Sequence, residues 1–172
     1  ALSNVQNAQS LLAIAEGGYQ NQMEILQTIK DKTVQASDRA VSDTQRASID
    51  KQVFQLLTEL DDIGSQTKWS GTSLINDTAN RAFSFHVGGD KGEELLVTLD
   101  KSNSSVHGLA TVATLNGAGT IGASVDGADD AIELVTLAID KLAGFVQKIG
   151  DTMVRLGKKS DFLAVSYSNT DA

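Results

Sequence analysis

Apolar residues recur at alternating steps of four and three through the last forty-odd positions: Ala128, Ile132, Val135, Ile139, Leu142, Val146, Ile149, Met153, Leu156, Ser160, Leu163 and Tyr167. This is the a/d seam of a coiled coil. It predicts one long helix over 126–172, and at about 1.5 Å per residue that helix is roughly 60 Å long, too long to fold back into a ball. The N-terminal segment carries the same seam in Val5, Ala8, Leu12, Ala15, Tyr19, Gln22, Leu26 and Ile29, which predicts a second long helix over about 2–35. Gly17-Gly18 interrupts it, but the apolar phase continues across the pair, so it reads as a weak point in one helix. Lys30 and Lys32 lie in its last turns, where cations complement the helix dipole.

Ser42 with Gln45 forms the capping-box pattern and opens a helix over about 43–64. Its seam is Ile49, Val53, Leu56, Leu60 and Ile63, and Gly64 is placed to end it. The short connection predicts antiparallel packing on the first helix. Beyond Gly71 the period drops to two. Phe83, Phe85 and Val87, the turn residues Gly88-Gly89-Asp90-Lys91-Gly92, then Leu95, Val97 and Leu99 predict a β-hairpin. Residues 101–125 read as loop with a short helix or turn, and Asp126 with Asp129 is expected to cap the last helix. The predicted fold is mainly α with a small β part. It is an elongated antiparallel helical rod of two long helices and a shorter one, with the hairpin at one end. Three stretches follow: 1–75 with the N-terminal helices and a turn at Trp69, 76–125 with the hairpin and loop, and 126–172 with the long last helix.

A second stripe runs beside the last seam. Ala143, Gly150, Gly157 and Ala164 are spaced by seven, and Gly inside a helix costs ~1 kcal/mol relative to Ala, so two at one heptad position call for a packing reason. The groove they make admits another backbone, from this chain or from a neighbouring copy. Trp69, the single Trp, reads as an anchor holding the turn onto the helix ends, with an exposed partner contact as the alternative.

Composition narrows the partners. Fourteen basic against 22 acidic residues give a net charge of −8, which disfavours nucleic acid and anionic lipid. No apolar run approaches the length of a membrane span, and the first residues carry neither a basic nor an apolar signal region. The chain opens without Met inside a helical pattern and stops at Ser168-Asn169-Thr170-Asp171-Ala172 without a closing signal, which suggests a trimmed chain. Cys is absent, so no disulfide or thiolate metal site can form, and Pro is absent, which suits long helices that fold late and quickly.

Catalytic chemistry finds little support, and no cofactor is expected. His86 and His107 both read as solvated surface residues. Gly88-Gly89-Asp90-Lys91-Gly92 opens onto a strand, so a hairpin turn is favoured over a phosphate cradle. The pairs Asp61-Asp62, Glu93-Glu94 and Asp129-Asp130 read as solvated or capping, because neighbours on a helix point about 100° apart. Asn76-Asp77-Thr78 and Asn103-Ser104-Ser105 match the short N-glycosylation pattern.

Three stretches carry a family resemblance. Thr67-Lys68-Trp69-Ser70-Gly71-Thr72-Ser73-Leu74 resembles the T-x-F-N-G-x-x-L element of bacterial flagellins, and follows Gln55–Ile63 as in that family. The segment from Phe85 to Val97 is similar to the flagellin hairpin, and Ala138-Ile139-Asp140, Arg155-Leu156-Gly157 and Asn169-Thr170 look like markers of its C-terminal helix. The resemblance covers nearly the whole chain. It implies the filament core region, often called D1, without the terminal D0 segments that line the inner tube and without large outer domains.

The resemblance further implies a secreted structural subunit that self-assembles into the extracellular flagellar filament and is not an enzyme. Its partners would be other flagellin subunits, an export chaperone and the filament cap. Flagellins recognised by the innate immune receptor TLR5 typically carry L-Q-R-x-R-E-L-x-V-Q on the first helix and I-Q-x-E on the next. The matching positions here hold Thr28 for an Arg, Lys32 for a Leu and Gln52 for a Glu, so TLR5 binding is expected to be weak or absent. Assembly contacts are expected around Trp69 and the Ala143/Gly150/Gly157/Ala164 stripe. The alternatives are the hook–filament junction protein of the same fold, and a coiled-coil adaptor binding a partner helix.

Overall fold

The computed structural model describes residues 2–76, 80–88, 91–113, 117 and 119–171, the side chains of 166–171 excepted. Helix α1 spans Leu2–Ala36 and α2 Asp43–Gln66; two short strands follow, β1 Lys68–Trp69 and β2 Thr72–Ser73. Strands β3 Arg81–His86 and β4 Glu94–Leu99 form the hairpin, and α3 Thr120–Ala123 precedes α4 Val125–Asp171. The architecture is mainly helical with the β3–β4 hairpin, as the periodicity predicts, and with a second small antiparallel pair, β1–β2, where the sequence predicts only a turn at Trp69.

Helix α1 is the spine. It packs against α4 along one side and against α2 on another. Helix α2 covers the C-terminal half of α1 and stops where Thr67 meets Gly18; a Cβ on Gly18 would lie 2.5 Å from the Thr67 Oγ1. The β3–β4 hairpin then takes over towards the start of α1. Tyr19 donates to the Asp100 carbonyl at the end of β4, and Asn4 Nδ2 donates to the His86 carbonyl (3.0 Å) at the end of β3. The hairpin thus lies beside the rod and continues the layer begun by α2, rather than sitting beyond one end.

Each element forms for a local reason, and some of those reasons differ from expectation. The capping box of α2 is present: Gln45 N–H donates to Ser42 Oγ and the Gln45 side chain accepts from the Ser42 N–H at 2.9 Å. Gly64 does not end α2, which runs on to Gln66 with Thr67 as its C-cap. Its use is close approach, since a Cβ there would come within 3.1 Å of the Ser102 carbonyl. Along α2 the buried line is Ile49, Val53, Leu57 and Leu60, so Leu57 takes the place expected of Leu56, and Leu56 and Ile63 are half-buried. At the start of α4, Ser124 rather than Asp126 or Asp129 is the cap, accepting from the Gly127 N–H at 2.9 Å.

On α4 the fully buried line repeats every seven residues: Ala128, Val135, Leu142, Ile149 and Leu156. The other half of the expected seam, Ile132, Ile139, Val146 and Met153, is only half-buried. Ala131 and Ala138 are buried beside that line, so in its first half α4 turns its alanines inward and leaves Ile132 and Ile139 at the edge. The Tyr167 position of the seam and the Asn169-Thr170 marker fall where side chains are not described.

In the hairpin, Phe83 faces Val97 and Phe85 faces Leu95, while Val87 N–H extends the ladder to the Glu93 carbonyl at 2.9 Å. Gly89 and Asp90 of the expected turn lie outside the described residues, as do Asp77 and Thr78 of one glycosylation pattern. Between β1 and β2, Ser70 and Gly71 have φ of 51° and 77°. Positive φ at both central residues is what a type I′ two-residue turn needs.

Candidate functional site

The three positions singled out for TLR5 meet at one place. Thr28 and Lys32 of α1 and Gln52 of α2 line an open groove of about 320 Å³ between the two helices, with Gln55, Leu56 and Glu59. Residues four apart on α1 share a face, which is why Thr28 and Lys32 line it together. The Thr28 hydroxyl turns back onto its own helix, donating to the Glu24 carbonyl at 3.1 Å, so it offers the groove no donor comparable to a guanidinium.

The small-residue stripe lies open. Ala143 and Ala164 are exposed and Gly150 and Gly157 half-exposed. A Cβ built on either glycine meets nothing within 4 Å. Among the described residues, no packing therefore requires these glycines. Trp69 is half-buried against the core, across from Thr72 in the β1–β2 pair.

Two polar centres escaped the sequence reading. At the α1–α2 corner Arg46 is buried, and its guanidinium donates to the carbonyls of Ala36 (2.8 Å) and Val41 (3.1 Å) and to Asp43 Oδ1 (2.7 Å). It satisfies carbonyls left open where α1 ends. The hydrophobic pattern around Arg46 is polar on both sides, so no periodicity announces it.

The second centre lies mid-rod. Gln22 is fully buried, its Nε2 donating to the carbonyls of Leu60 (3.0 Å) and Ser102 (3.2 Å), and its Oε1 accepting from the Ser102 hydroxyl at 2.7 Å. His107 Nε2 lies 2.7 Å from the same hydroxyl. His107 is therefore not the solvated residue expected: it is buried, its ring 5.9 Å from that of Phe145 on α4. Burial, and then the Lys141 ammonium, lower its pKa from 6.5 to about 4, against the opposing pull of Asp61. Asp61 also turns inward, accepting from the N–H and hydroxyl of Ser104 at 2.7 Å each. Asn103 spends its amide on Val106 N–H and Asn76 Oδ1, so in the fold it is a structural residue of this loop.

His86 is exposed as expected, 3.3 Å from Glu94 Oε1. Among the described residues no cluster of three or more His, Asp or Glu could hold a metal ion, and no helix is long and apolar enough to cross a membrane.

With this geometry in view, residues 1–80 match the family described as the bacterial flagellin N-terminal helical region. The N-terminal part of the chain is thus similar to the helical region of bacterial flagellins. A flagellar filament core protein, flaB2, of Brachyspira hyodysenteriae is 26% identical over 172 residues, covering 95% of this chain and 59% of that protein. The flagellin of Bacillus cereus superposes with a TM-score of 0.75 at 22% identity, over 94% of this chain and 88% of that one. A putative flagellar hook-associated protein of Vibrio parahaemolyticus superposes almost as well, with a TM-score of 0.73 at 12% identity over 98% of this chain and 86% of that one. The chain spans less than a third of the length of the Vibrio flagellins that it also matches. The superposition on the Bacillus cereus flagellin takes in the helical rod, the β1–β2 turn and the hairpin as one fold.

Proposed function

We propose that this chain is the core of a structural subunit of the bacterial flagellar filament, exported and then polymerised with copies of itself outside the cell. The observation that carries this reading is the relation to a filament core protein along 95% of the chain, through both long helices and the segment between them. The role is one of packing and not of catalysis, with no cofactor. An export chaperone and the filament cap are the further partners this role brings.

Contacts between subunits fall, in this reading, on surfaces that the chain itself leaves open. The Ala143/Gly150/Gly157/Ala164 stripe supports it, because its glycines lower the stability of α4 by ~1 kcal/mol each without serving any packing among the described residues. The exposed side of Trp69 is the second contact. TLR5 binds weakly or not at all, since the groove holds Thr28, Lys32 and Gln52 where recognised flagellins typically present a guanidinium, an apolar side chain and a carboxylate.

The test is seeded growth. The chain carrying flagellin terminal segments at both ends is added to filament seeds and followed by light scattering. Sustained elongation supports the filament subunit. Addition of a few copies that then stops supports the hook–filament junction protein, a reading favoured by the near-equal likeness to the hook-associated structure. A discrete dimer without growth points to a coiled-coil adaptor. For TLR5, a reporter-cell response at the concentration that suffices for a standard activating flagellin sinks the receptor part of the proposal.

A further inference from the structure

The proton inventory around Gln22 fixes which nitrogen of His107 is the donor. Gln22 Nε2 donates both of its protons to backbone carbonyls, which fixes the amide with Oε1 towards Ser102. That oxygen takes the single proton of the Ser102 hydroxyl. Ser102 Oγ can then only accept from His107, so Nε2 carries the imidazole proton and Nδ1 is bare. Nδ1 is buried and without a hydrogen-bond partner among the described residues. A second proton would place a buried donor there with nothing to receive it.

We propose that His107 is an acid-released latch: neutral, it holds the segment 102–113 in its place between α2 and α4, and protonated it lets that segment open while the α1–α4 pairing persists. The charged and titratable groups around the ring come from every neighbouring element. Lys141 of α4, whose ammonium donates to the Val106 carbonyl at 3.0 Å, opposes a second positive charge. Asp61 of α2 favours it, but its carboxylate is already engaged by Ser104. On the α1 side Tyr19 meets the same Phe145 ring at 5.9 Å, and its phenol is neutral and bound to the Asp100 carbonyl. Asp100 itself is paired with Lys148 at 3.1 Å. Lys101, half-exposed, adjoins Ser102 in the chain and adds no counter-charge. The latch acts on the segment because its anchors run through it: His107 N–H bonds the Asn103 carbonyl, and Leu109, Val112 and Ala113 are its buried apolar side chains.

The experiment is amide hydrogen exchange on the intact chain between pH 7.5 and 4, corrected for the intrinsic pH dependence, beside carbon-detected titration of the His107 imidazole. The expected result is at least tenfold loss of protection across 103–113 as pH falls from 6.5 to 4, with the buried amides of α1 and α4 unchanged. The imidazole should hold the Nε2–H tautomer at neutral pH and titrate well below 6.5. His107→Gln keeps an Nε2 donor for Ser102 and cannot protonate, so its segment should stay protected throughout. Equal loss of protection in wild type and His107→Gln overturns the proposal, as does an imidazole that titrates at its ordinary value. Should the variant not fold, the wild-type titration and tautomer decide alone.

Discussion

Gln22 on α1 and Leu60 on α2 are joined by an amide-to-carbonyl hydrogen bond of 3.0 Å in a site that water does not reach. The bond ties the two antiparallel helices at mid-rod, where the Ser102 backbone and hydroxyl also converge. A glutamine in an apolar seam is tolerated because all three of its polar contacts are made.

Replacing Gln22 with Leu is therefore expected to destabilise the chain by about 2–3 kcal/mol although it adds apolar surface, because the Ser102 hydroxyl and two carbonyls lose their partner. Urea denaturation checks this. Unchanged or increased stability would show that the hydrogen bonds contribute less than the desolvation of the amide.

The adjacent glycines of α1 should respond in opposite directions. A Cβ on Gly17 meets nothing, and Gly17→Ala should stabilise by about 1 kcal/mol through helix propensity. A Cβ on Gly18 would press on the Thr67 side chain and on Ile75, and Gly18→Ala should destabilise by about 1–3 kcal/mol. Thermal melts of the two variants separate these outcomes.

Ser70 is the only non-glycine residue with positive φ among the described residues. Asn adopts that conformation at lower cost, so Ser70→Asn should raise stability by roughly 0.5–1 kcal/mol. Ser70→Val should lower it by at least as much. Denaturation midpoints compared at equal m-values test both.

Gly150→Ala and Gly157→Ala should each stabilise the isolated chain by about 1 kcal/mol, since both Cβ positions are open. If the stripe receives a neighbouring copy, as proposed, the same variants should slow seeded filament growth. Stabilisation with unaltered growth would remove the stripe from the assembly contacts.

Stability should fall on the acid side. His107 has a folded pKa of about 4 against 6.5 unfolded, so above pH 7 both states are neutral and the residue adds no pH dependence. Below pH 6.5 the unfolded chain takes up a proton that the folded one refuses, and stability declines until pH 4, by on the order of 3 kcal/mol in all. The difference between wild type and His107→Gln isolates this from the carboxylates. On the alkaline side the Tyr19 phenol, held well above its usual pKa by burial, should make stability fall once pH rises past 10.

The four-three spacing of Val5 to Ile29 and of Ala128 to Leu156, and the alternation around Phe83 and Val97, determine the element types and most of the core without any tertiary information. These are local periodicities that each element must satisfy by itself. The Ser42–Gln45 cap is equally legible, being made within four residues. What only the tertiary structure decided is which side of each stripe has a partner. Leu57 displaced Leu56, and Ala131 and Ala138 took the buried places expected of Ile132 and Ile139, because which line of a helix faces its neighbours is chosen by packing. Gly18, Gly64, Gly150 and Gly157 all sit inside helices, yet the first two are closely approached by other segments and a Cβ on either of the last two meets nothing within 4 Å. Arg46 and His107 were hidden for a related reason: their partners lie on other elements or on backbone carbonyls, which have no residue type to read. A polar side chain's burial is set by whether its hydrogen bonds can be completed, and that depends on chain segments brought together only by folding.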